Sequence, residues 1–239
     1  MKKFLPALLM SLALLAGCTA SPAVSPTQKP APTSAVPTVE ESPYAKYKIV
    51  ATSPGDCEIV YALGETLVGR GELCDYPPEV LDVPVVRSDA EIAALEPDVI
   101  ITSEAAQTVE QTFDRILEIG GKLGRYDDAI QLVQDMQTQF EIIGGNGKNG
   151  SLGDVTVCVE ISESRTGGAN TFIDELIALC GASNAFGDSD GWIDVTEEEI
   201  LERAPDYVIT EIDPDVISRA GPRLTEAAMQ LFVALYGSD

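Results

Sequence analysis

The chain has 239 residues, of which 45% are hydrophobic and 23% charged, a composition typical of a globular protein with one large or two small domains. Its formal net charge of −24 repels polyanions, so we expect no nucleic-acid partner. The absence of histidine excludes the Ser-His and Cys-His nucleophile pairs and the commonest zinc ligand. The carboxylates are also scattered, without a spacing that indicates acid–base pairing, and we therefore predict a protein that is not an enzyme and holds no resident cofactor or metal.

The N-terminus has the pattern of an export signal. Lys2 and Lys3 precede a mostly apolar run over residues 4–16, which is short of the roughly 20 residues of a membrane-spanning helix. The run ends in LAGC at residues 15–18, which resembles the lipobox of bacterial lipoproteins, whose cysteine is lipidated and becomes the new N-terminus. We predict a signal peptide over 1–17, lipidation of Cys18 and an extracytoplasmic location on the cell membrane. A plain cleaved signal with an incidental cysteine is the alternative.

A Pro-, Ser- and Thr-rich segment follows the cysteine up to residue 46 and contains six prolines. This composition predicts an extended, flexible tether over 18–46 that lets the folded part leave the lipid surface and return to it. A disordered leader without a mechanical role is the alternative.

Beyond the tether, short apolar strands alternate with helical patterns. A strand at 48–51, a loop and a helix ending at Gly64 are matched by a strand at 155–159 and a helix over 172–179. The segments 91–102 and 199–210 align without a gap, and each is predicted to be a helix, a Pro-Asp turn and a buried strand. This repeat predicts two similar α/β lobes, with two copies of one idiom in a single sheet as the alternative.

A helical region separates the two halves. Thr108 begins a capping-box pattern, Gly120, Gly121 and Gly124 divide the region, and apolar residues recur at helical spacing over 127–143 until Gly144-Gly145. A helix over 127–143 is about 25 Å long, which is enough to bridge two lobes. We predict an N-terminal lobe over 47–107, a helical linker over 108–150 and a C-terminal lobe over 151–239.

Five segments in this order resemble the periplasmic-type binding proteins of ABC importers that carry cobalamin and iron-siderophores. They are residues 48–73, CDYPPE at 74–79, LEPDVIIT at 95–102, NTFIDELIALCGASN at 170–184 and DVISRAGPRL at 215–224. The resemblance implies an α/β fold with two similar parallel-sheet lobes joined by a long helix and a ligand cleft between the lobes. It also implies a monomer that delivers its ligand to a membrane permease with its ATPase.

The resemblance is closest to the cobalamin-binding members, and it implies a set of ligand-binding residues. Tyr76 and Trp192 match aromatic residues of the cleft, where they would contact the faces of a planar macrocycle. Asp215 and Arg219 match an acid and a base that reach the ligand's periphery, with an exposed ion pair within one helix as the alternative reading. Ser53 and Pro54, after the first strand, and Arg165 complete the predicted set, and burial in a core is the alternative for both aromatic residues.

The sequence also departs from the cobalamin-binding pattern. Where further cleft aromatics are usual, it has Arg87-Ser88, Ser103 and Ser164-Arg165, and arginines suit the carboxylate or catecholate oxygens of a ferric siderophore. After Thr102 and Glu211 the chain is shorter than the family pattern. We therefore predict a corrinoid-binding protein, with a ferric-siderophore or heme binder, or a surface sensor or scaffold without a transport partner, as alternatives. A manganese or zinc carrier usually needs histidine ligands.

Two further groups of residues have predicted roles. In the family one glutamate on each lobe docks onto permease arginines, and Glu91 and Glu198 are the candidates here, with a solvated helix face as the alternative. Cys57, Cys74, Cys158 and Cys180 show no metal-binding spacing, and buried free thiols are the default for them. Cys57 and Cys74 are both predicted on loops that face the cleft, so a disulfide between them is a hypothesis.

Overall fold

The computed structural model describes residues 47–102, 106–150, 154–162 and 164–237. The predicted signal peptide, Cys18, the tether and Ser103 lie outside the described residues. The strands are β1 (Ile49–Ala51), β2 (Leu67–Arg70), β3 (Val99–Ile101), β4 (Thr156–Ser162), β5 (Arg165–Gly167), β6 (Ser183–Asn184), β7 (Trp192–Asp194) and β8 (Tyr207–Ile209). The helices are α1 (Pro54–Ala62), α2 (Asp89–Ala94), α3 (Val109–Lys122), α4 (Tyr126–Gly150), α5 (Phe172–Leu179), α6 (Glu197–Arg203), α7 (Pro214–Ile217) and α8 (Leu224–Tyr236), with a 3₁₀ helix at Pro78–Asp82. Within the described ranges, no helix has the length and apolar character needed to cross a bilayer.

The strands form two sheets. The first has three parallel strands in the order β2-β1-β3, and with α1 and α2 it makes up the N-terminal lobe. In the second sheet β4 pairs in parallel with β6 and β8, β5 pairs antiparallel with the last residues of β4, and β7 pairs antiparallel with β5. This sheet and α5–α8 make up the C-terminal lobe. The mixed α/β architecture agrees with the fold class predicted from the sequence.

The repeat predicted from the sequence is visible in the backbone of both lobes. The Asp98 carboxylate accepts a hydrogen bond from the Lys48 backbone N–H, and Asp206 accepts one from Thr156 in the same way, each at 2.8 Å. Asp98 and Asp206 immediately precede β3 and β8. These strands pair with β1 and β4 in the same register, with Ile49 opposite Val99 and Val157 opposite Tyr207. Each of these residues is 108 positions from its counterpart in the other lobe. The two lobes therefore use one local structure twice.

The last residues of this repeated turn confirm the correspondence. Glu96 and Ala204, also 108 positions apart, both adopt positive φ angles, 49° and 46°, just before the proline. The left-handed conformation is uncommon for residues with a Cβ, and here it ends α6 and reverses the chain into β8. The helix, Pro-Asp turn and strand predicted for each copy are confirmed, but the prediction that the strands are buried is wrong, because only the last residue of β3 and of β8 is buried.

Helix α4 spans the region between the lobes and packs against α3, α5 and α8. The predicted break between two helices is confirmed, since α3 ends at Lys122 and Gly124 adopts a φ of 67°. The predicted end at Gly144-Gly145 is wrong, because α4 continues to Gly150. A Cβ on Gly147 would lie 2.9 Å from the Cys180 backbone, so glycine here lets α4 approach the end of α5 closely.

Helix α1 begins earlier than the sequence predicted. It starts at Pro54, so that Cys57, which was expected on a loop, lies in the first turns of the helix. Ser53 occupies the N-cap position, but its side chain makes no capping hydrogen bond, and Asp56 does not cap the helix either. Instead, the buried Asp56 carboxylate accepts two hydrogen bonds from Arg115 of α3 at 2.8 and 2.9 Å. This bidentate ion pair fixes α1 against α3.

Candidate functional site

The predicted binding residues lie mainly where strands end. Ser53 and Pro54 follow β1, Tyr76 follows β2, and Asp215 and Arg219 follow β8. In open α/β sheets, ligands bind in the crevice outside the carboxyl ends of the parallel strands. The two lobes direct these ends towards each other, because a Cβ on Gly55 at the start of α1 would lie 2.4 Å from the Ala220 carbonyl oxygen. The candidate site is therefore the region where the two carboxyl edges meet.

Arg219 is the centre of a charged cluster that joins the lobes. Its guanidinium donates to both carboxylate oxygens of Asp75 at 2.5 and 3.2 Å and to Asp215 at 2.7 Å. A longer bond of 3.4 Å reaches Glu58 on α1. Asp75 and Glu58 belong to the N-terminal lobe, whereas Asp215 and Arg219 belong to the C-terminal lobe. We call these four residues the Arg219 cluster.

The structure changes the role expected for Arg219. The arginine side chain is only 8% exposed, and its donors are directed at carboxylates of the protein itself. Asp215 pairs with Arg219, as the alternative reading expected, but α7 ends at Ile217 and Arg219 is buried, so the pair is neither contained within one helix nor exposed on both sides. The alternative of an exposed intrahelical pair is therefore wrong, and direct ligand contact by Arg219 would require breaking inter-lobe ion pairs. Asp215 remains exposed.

Glu58 is the unusual member of the cluster because it is buried and incompletely bonded. Its side chain is 2% exposed, and its Oε2 atom has no hydrogen-bond partner among the described residues. Burial raises the pKa of Glu58 to about 7, although Arg223 and Arg219 act to lower it. The pKa of Asp75 is lowered from its ordinary value, chiefly by its hydrogen bonds to Arg219. Sequence reasoning did not select Glu58 and Asp75, although both lie in segments that carry the family resemblance.

Tyr76 lies beside this cluster and is 41% exposed. The guanidinium of Arg223 stacks on its ring at 4.1 Å from the centroid, a cation–π contact between the two lobes. Arg223 also lies 3.9 Å from Glu58. The exposed part of the ring is available to a ligand, so the alternative of a core residue does not describe Tyr76.

Trp192 belongs to a second contact between the lobes. Its indole N–H donates to the Gln107 side chain at 2.7 Å, and its ring meets Phe172 edge-on at 5.0 Å. The backbone of Gln107 also accepts a hydrogen bond from the Phe172 N–H at 2.7 Å. Gln107 lies between β3 and α3, whereas Phe172 and Trp192 lie in the C-terminal lobe. We call these three residues the Trp192 contact, in which the indole is half-buried.

The other predicted residues have simpler surroundings. Arg165 is exposed on β5, opposite Asp194 of β7, and Gly167 is opposite Trp192. Since residues two apart on a strand share a face, Arg165 and Trp192 lie on the same face of this β-ribbon. Ser53 and Pro54 are half-buried at the start of α1, next to the Gly55–Ala220 approach.

The two glutamates predicted to dock a permease differ in their surroundings. Glu198 is exposed on α6, and the structure shows no bonding partner for it in the described ranges. The Glu91 carboxylate accepts a hydrogen bond from the Arg87 backbone N–H at 2.6 Å at the start of α2. Glu199, not Glu198, corresponds to Glu91 in the repeat, and its carboxylate accepts a hydrogen bond from the N–H of the N-cap residue Thr196 at 2.7 Å. The candidates therefore do not occupy equivalent positions.

A groove of about 900 Å³ lies elsewhere, between α3, α4 and α5. Its walls include Phe113, Phe140 and Leu179, and Glu175 lies at its edge, bonded to the Val109 N–H at 2.6 Å. Burial raises the pKa of Glu175. The groove contains none of the predicted ligand-binding residues. The described part of the chain also shows no group of three or more potential metal ligands.

Comparisons with known proteins agree with this arrangement, although no family model matches the chain. An uncharacterized ABC transporter substrate-binding lipoprotein, YvrC of Bacillus subtilis (strain 168), is 27% identical over 250 positions, covering 79% of this chain and 80% of the relative. The vitamin B12-binding protein of Salmonella typhimurium (strain LT2) is 23% identical, covering 80% and 91% respectively. The alignment with YvrC has more positions than this chain has residues, so the relative contains segments that are missing here.

Solved structures share the fold. A possible iron-binding, periplasmic solute-binding protein of Staphylococcus epidermidis superposes with a TM-score of 0.69 at 23% identity, covering 80% of this chain and all of the other. The periplasmic heme-binding protein HutB of Vibrio cholerae gives a TM-score of 0.68 at 19% identity, covering 80% and 100%.

The homologues are therefore ABC-transporter substrate-binding proteins, and the fold is that of periplasmic binding proteins with heme, iron and B12 carriers among them. This matches the family that the sequence resembles. The homologues are transport components rather than enzymes, which confirms the prediction that the chain is not an enzyme.

Proposed function

We propose that this protein is an extracytoplasmic substrate-binding lipoprotein that captures a bulky metal chelate and delivers it to an ABC importer permease with its ATPase. The observation that carries the proposal is the two-lobed fold of periplasmic binding proteins, with the predicted ligand residues grouped where the carboxyl edges of the two sheets meet. The proposed lipid anchor at Cys18 and the tether over 18–46 would keep the protein near the permease.

The ligand we favour is cobalamin or another corrinoid. Tyr76 and Trp192 each supply an aromatic surface that is not fully buried, and each contributes to a contact between the lobes. A corrin has large apolar faces, and well-placed aromatic contacts each add about 0.5–1.5 kcal/mol beyond the burial of area. Vitamin B12-binding proteins among the relatives support this choice.

A ferric siderophore or heme is the second candidate, and one observation favours it. Arg165 is exposed on the same face of the ribbon as Trp192, so this face carries both a guanidinium and an aromatic side chain. This pair suits a ligand that combines a flat apolar body with carboxylate or catecholate oxygens. A heme-binding protein among the structural neighbours also supports it.

A fluorescence titration distinguishes the candidates, because Trp192 is the only tryptophan in the chain. We expect cobalamin or cobinamide to quench the emission of purified protein that lacks residues 1–18, with saturation at one ligand per chain. A response to a ferric siderophore or heme, but not to corrinoids, would move the assignment to the second candidate. If no member of the panel binds, the proposal fails.

A matched pair of variants tests the location of the site. Tyr76→Ala and Tyr207→Ala each remove a tyrosine that is 41% exposed, but Tyr207 starts β8 and therefore lies at the end of the sheet away from the carboxyl edge. We expect Tyr76→Ala to weaken the affinity for the ligand about tenfold, whereas Tyr207→Ala leaves it unchanged. Equal effects would place the ligand elsewhere.

Docking to the permease is tested separately from ligand binding. We expect Glu91→Lys combined with Glu198→Lys to abolish uptake in membranes that contain the importer, while the affinity for the ligand in solution stays the same. Glu202→Lys, on the same helix as Glu198 and also exposed, is the control and should retain uptake. A loss of ligand affinity in the double variant would contradict the docking role.

A further inference from the structure

Two fully buried cysteines of the N-terminal lobe are in direct contact. Cys57 lies on α1 and Cys74 lies in the segment that follows β2, and neither is exposed to solvent. Their sulfur atoms are 2.6 Å apart. Carbon atoms in van der Waals contact are about 3.5–4.0 Å apart, and sulfur is the larger atom, so these two thiols are closer than packing alone requires.

The surroundings hold both sulfur atoms in place. The Cys57 thiol also lies 3.5 Å from the Ala51 carbonyl oxygen at the end of β1. The backbone around Cys74 is fixed from the other side, because its carbonyl accepts a 2.8 Å hydrogen bond from the buried Arg70 side chain and its N–H donates to Gly71 at 3.2 Å. The contact between the sulfurs therefore follows from the position of two ordered segments, not from a free rotation of either side chain.

The two thiols differ in acidity. The hydrogen bond from the Cys57 thiol lowers the pKa of Cys74, and Arg70 and Arg219 act in the same direction. The same bond, together with burial, raises the pKa of Cys57. Both directions follow from the direct contact between the two sulfurs.

We propose that Cys57 and Cys74 form a disulfide bond in the exported protein. The oxidant is a second disulfide, either of a thiol oxidoreductase or of a small molecule. The thiolate of one cysteine attacks one of its sulfurs and releases one thiolate, and the thiolate of the other cysteine then attacks the protein sulfur of the mixed disulfide and releases the other. The two protons from the cysteines pass to the two released thiolates. Because both sulfurs are covered in the folded chain, the bond forms while the segment is folding.

The bond would act on the contact between the lobes. The residues that follow Cys74 are Asp75, which binds Arg219, and Tyr76, which stacks under Arg223. The disulfide would therefore connect Cys74 to α1. The two residues after Cys74 make contacts with the C-terminal lobe. The inference does not rest on the proposed function, because the bond and the inter-lobe contacts do not depend on the ligand.

The remaining described cysteines provide an internal comparison. Cys158 and Cys180 are also fully buried, but the nearest bonded atoms around them are not sulfurs. The Cys180 sulfur lies 3.9 Å from the Ala228 carbonyl oxygen, and burial raises the pKa of both thiols. We therefore expect these two to remain reduced under the conditions that oxidise Cys57 and Cys74.

Tryptic mapping tests the proposal directly, because Arg70 lies between the two cysteines. Cleavage after Lys48, Arg70 and Arg87 places Cys57 in the peptide 49–70 and Cys74 in the peptide 71–87. We expect mature protein exported to an oxidising compartment and alkylated without reduction to give one linked pair of these peptides. The peptides that contain Cys158 and Cys180 should carry the alkyl label.

Free Cys57 and Cys74, both labelled even after the protein has been unfolded and refolded in the presence of oxidised glutathione, would overturn the proposal. So would a linked pair that involves Cys158 or Cys180. This mapping uses the unmodified protein without ligand, so its result is independent of the titration that tests the proposed function.

A second measurement tests the anchoring of the segment. Reduction with dithiothreitol should lower the Tm of the wild-type protein by roughly 5–10 °C, since closing a loop of this length restricts the unfolded chain. The Cys57→Ser/Cys74→Ser double variant should show no response to the reductant, and the single variant Cys180→Ser should respond like the wild type. A wild-type Tm that does not change when the bond is reduced would show that the bond does not anchor the segment.

Discussion

The two contacts between the lobes differ in chemistry. The Arg219 cluster consists of one buried cation and three carboxylates, whereas the Trp192 contact consists of neutral groups, two hydrogen bonds and a pair of aromatic rings. Buried charges are stable only as a complete set, because a remaining charge cannot be hydrated when its partner is removed. Neutral contacts lose only what the removed group contributed. One side of the lobe interface should therefore respond to pH and to single charge changes far more than the other.

Removing the central cation should have the largest effect. Arg219→Met leaves Glu58 and Asp75 without their main cationic partner, and we expect the free energy of unfolding at pH 8 to fall by about 3–5 kcal/mol. Denaturant unfolding followed by circular dichroism measures it. Arg87→Met is the control, because the Arg87–Glu72 pair is largely exposed on both sides and should contribute at most about 1 kcal/mol. Equal losses in the two variants would contradict the role of burial.

The pH dependence of the cluster should be smaller and have a definite sign. Glu58 has a pKa of about 7 in the folded protein and an ordinary value of 4.5 when unfolded, so the folded state binds the proton more strongly. Glu58 therefore contributes most to the free energy of unfolding below pH 4.5, and this contribution is lost as the pH rises through 7. The free energy of unfolding changes by up to about 3 kcal/mol. Arg219, Arg223 and Asp75 are the charged groups that face it.

The variant Glu58→Gln isolates this effect. We expect it to be more stable than the wild type at pH 8, with the difference decreasing steadily towards pH 5, because glutamine has no proton to lose. Unfolding curves of both proteins at several pH values measure the difference, in which the shared titration of other carboxylates cancels. A difference that is independent of pH would show that Glu58 does not titrate in this range.

The neutral contact should show the smallest effect. Trp192→Phe removes the 2.7 Å hydrogen bond to Gln107 but keeps an aromatic ring against Phe172, and we expect a loss of about 1 kcal/mol. The loss should be the same at pH 5 and pH 8, as measured by circular dichroism because the variant has no tryptophan emission. A loss that depends on pH would remove the distinction between the two contacts.

Local features of the fold could be predicted from the sequence, whereas the contacts between the lobes could not. The helix, Pro-Asp turn and strand around Asp98 and Asp206 were predictable, because hydrophobic pattern and turn chemistry act over a few residues. The length of α4 was not, since Gly147 serves a close approach to Cys180, whose position depends on tertiary packing.

The candidate site depends still more on tertiary structure. Sequence pattern selected Tyr76, Trp192 and Arg219, but their partners lie far away in the chain: Asp75 is 144 positions from Arg219, and Gln107 is 85 from Trp192. No local signal marks such partners. The sequence therefore could not predict that Arg219 is buried and forms ion pairs between the lobes.

The approach of Gly55 to Ala220 has a consequence for the gap between the lobes. Here the two lobes are so close that only the hydrogen side chain of glycine fits at residue 55. Any larger side chain would collide with the Ala220 carbonyl. A methyl group on residue 55 would hold the two lobes further apart at this contact. Position 55 therefore sets the closest approach of the two lobes at this contact.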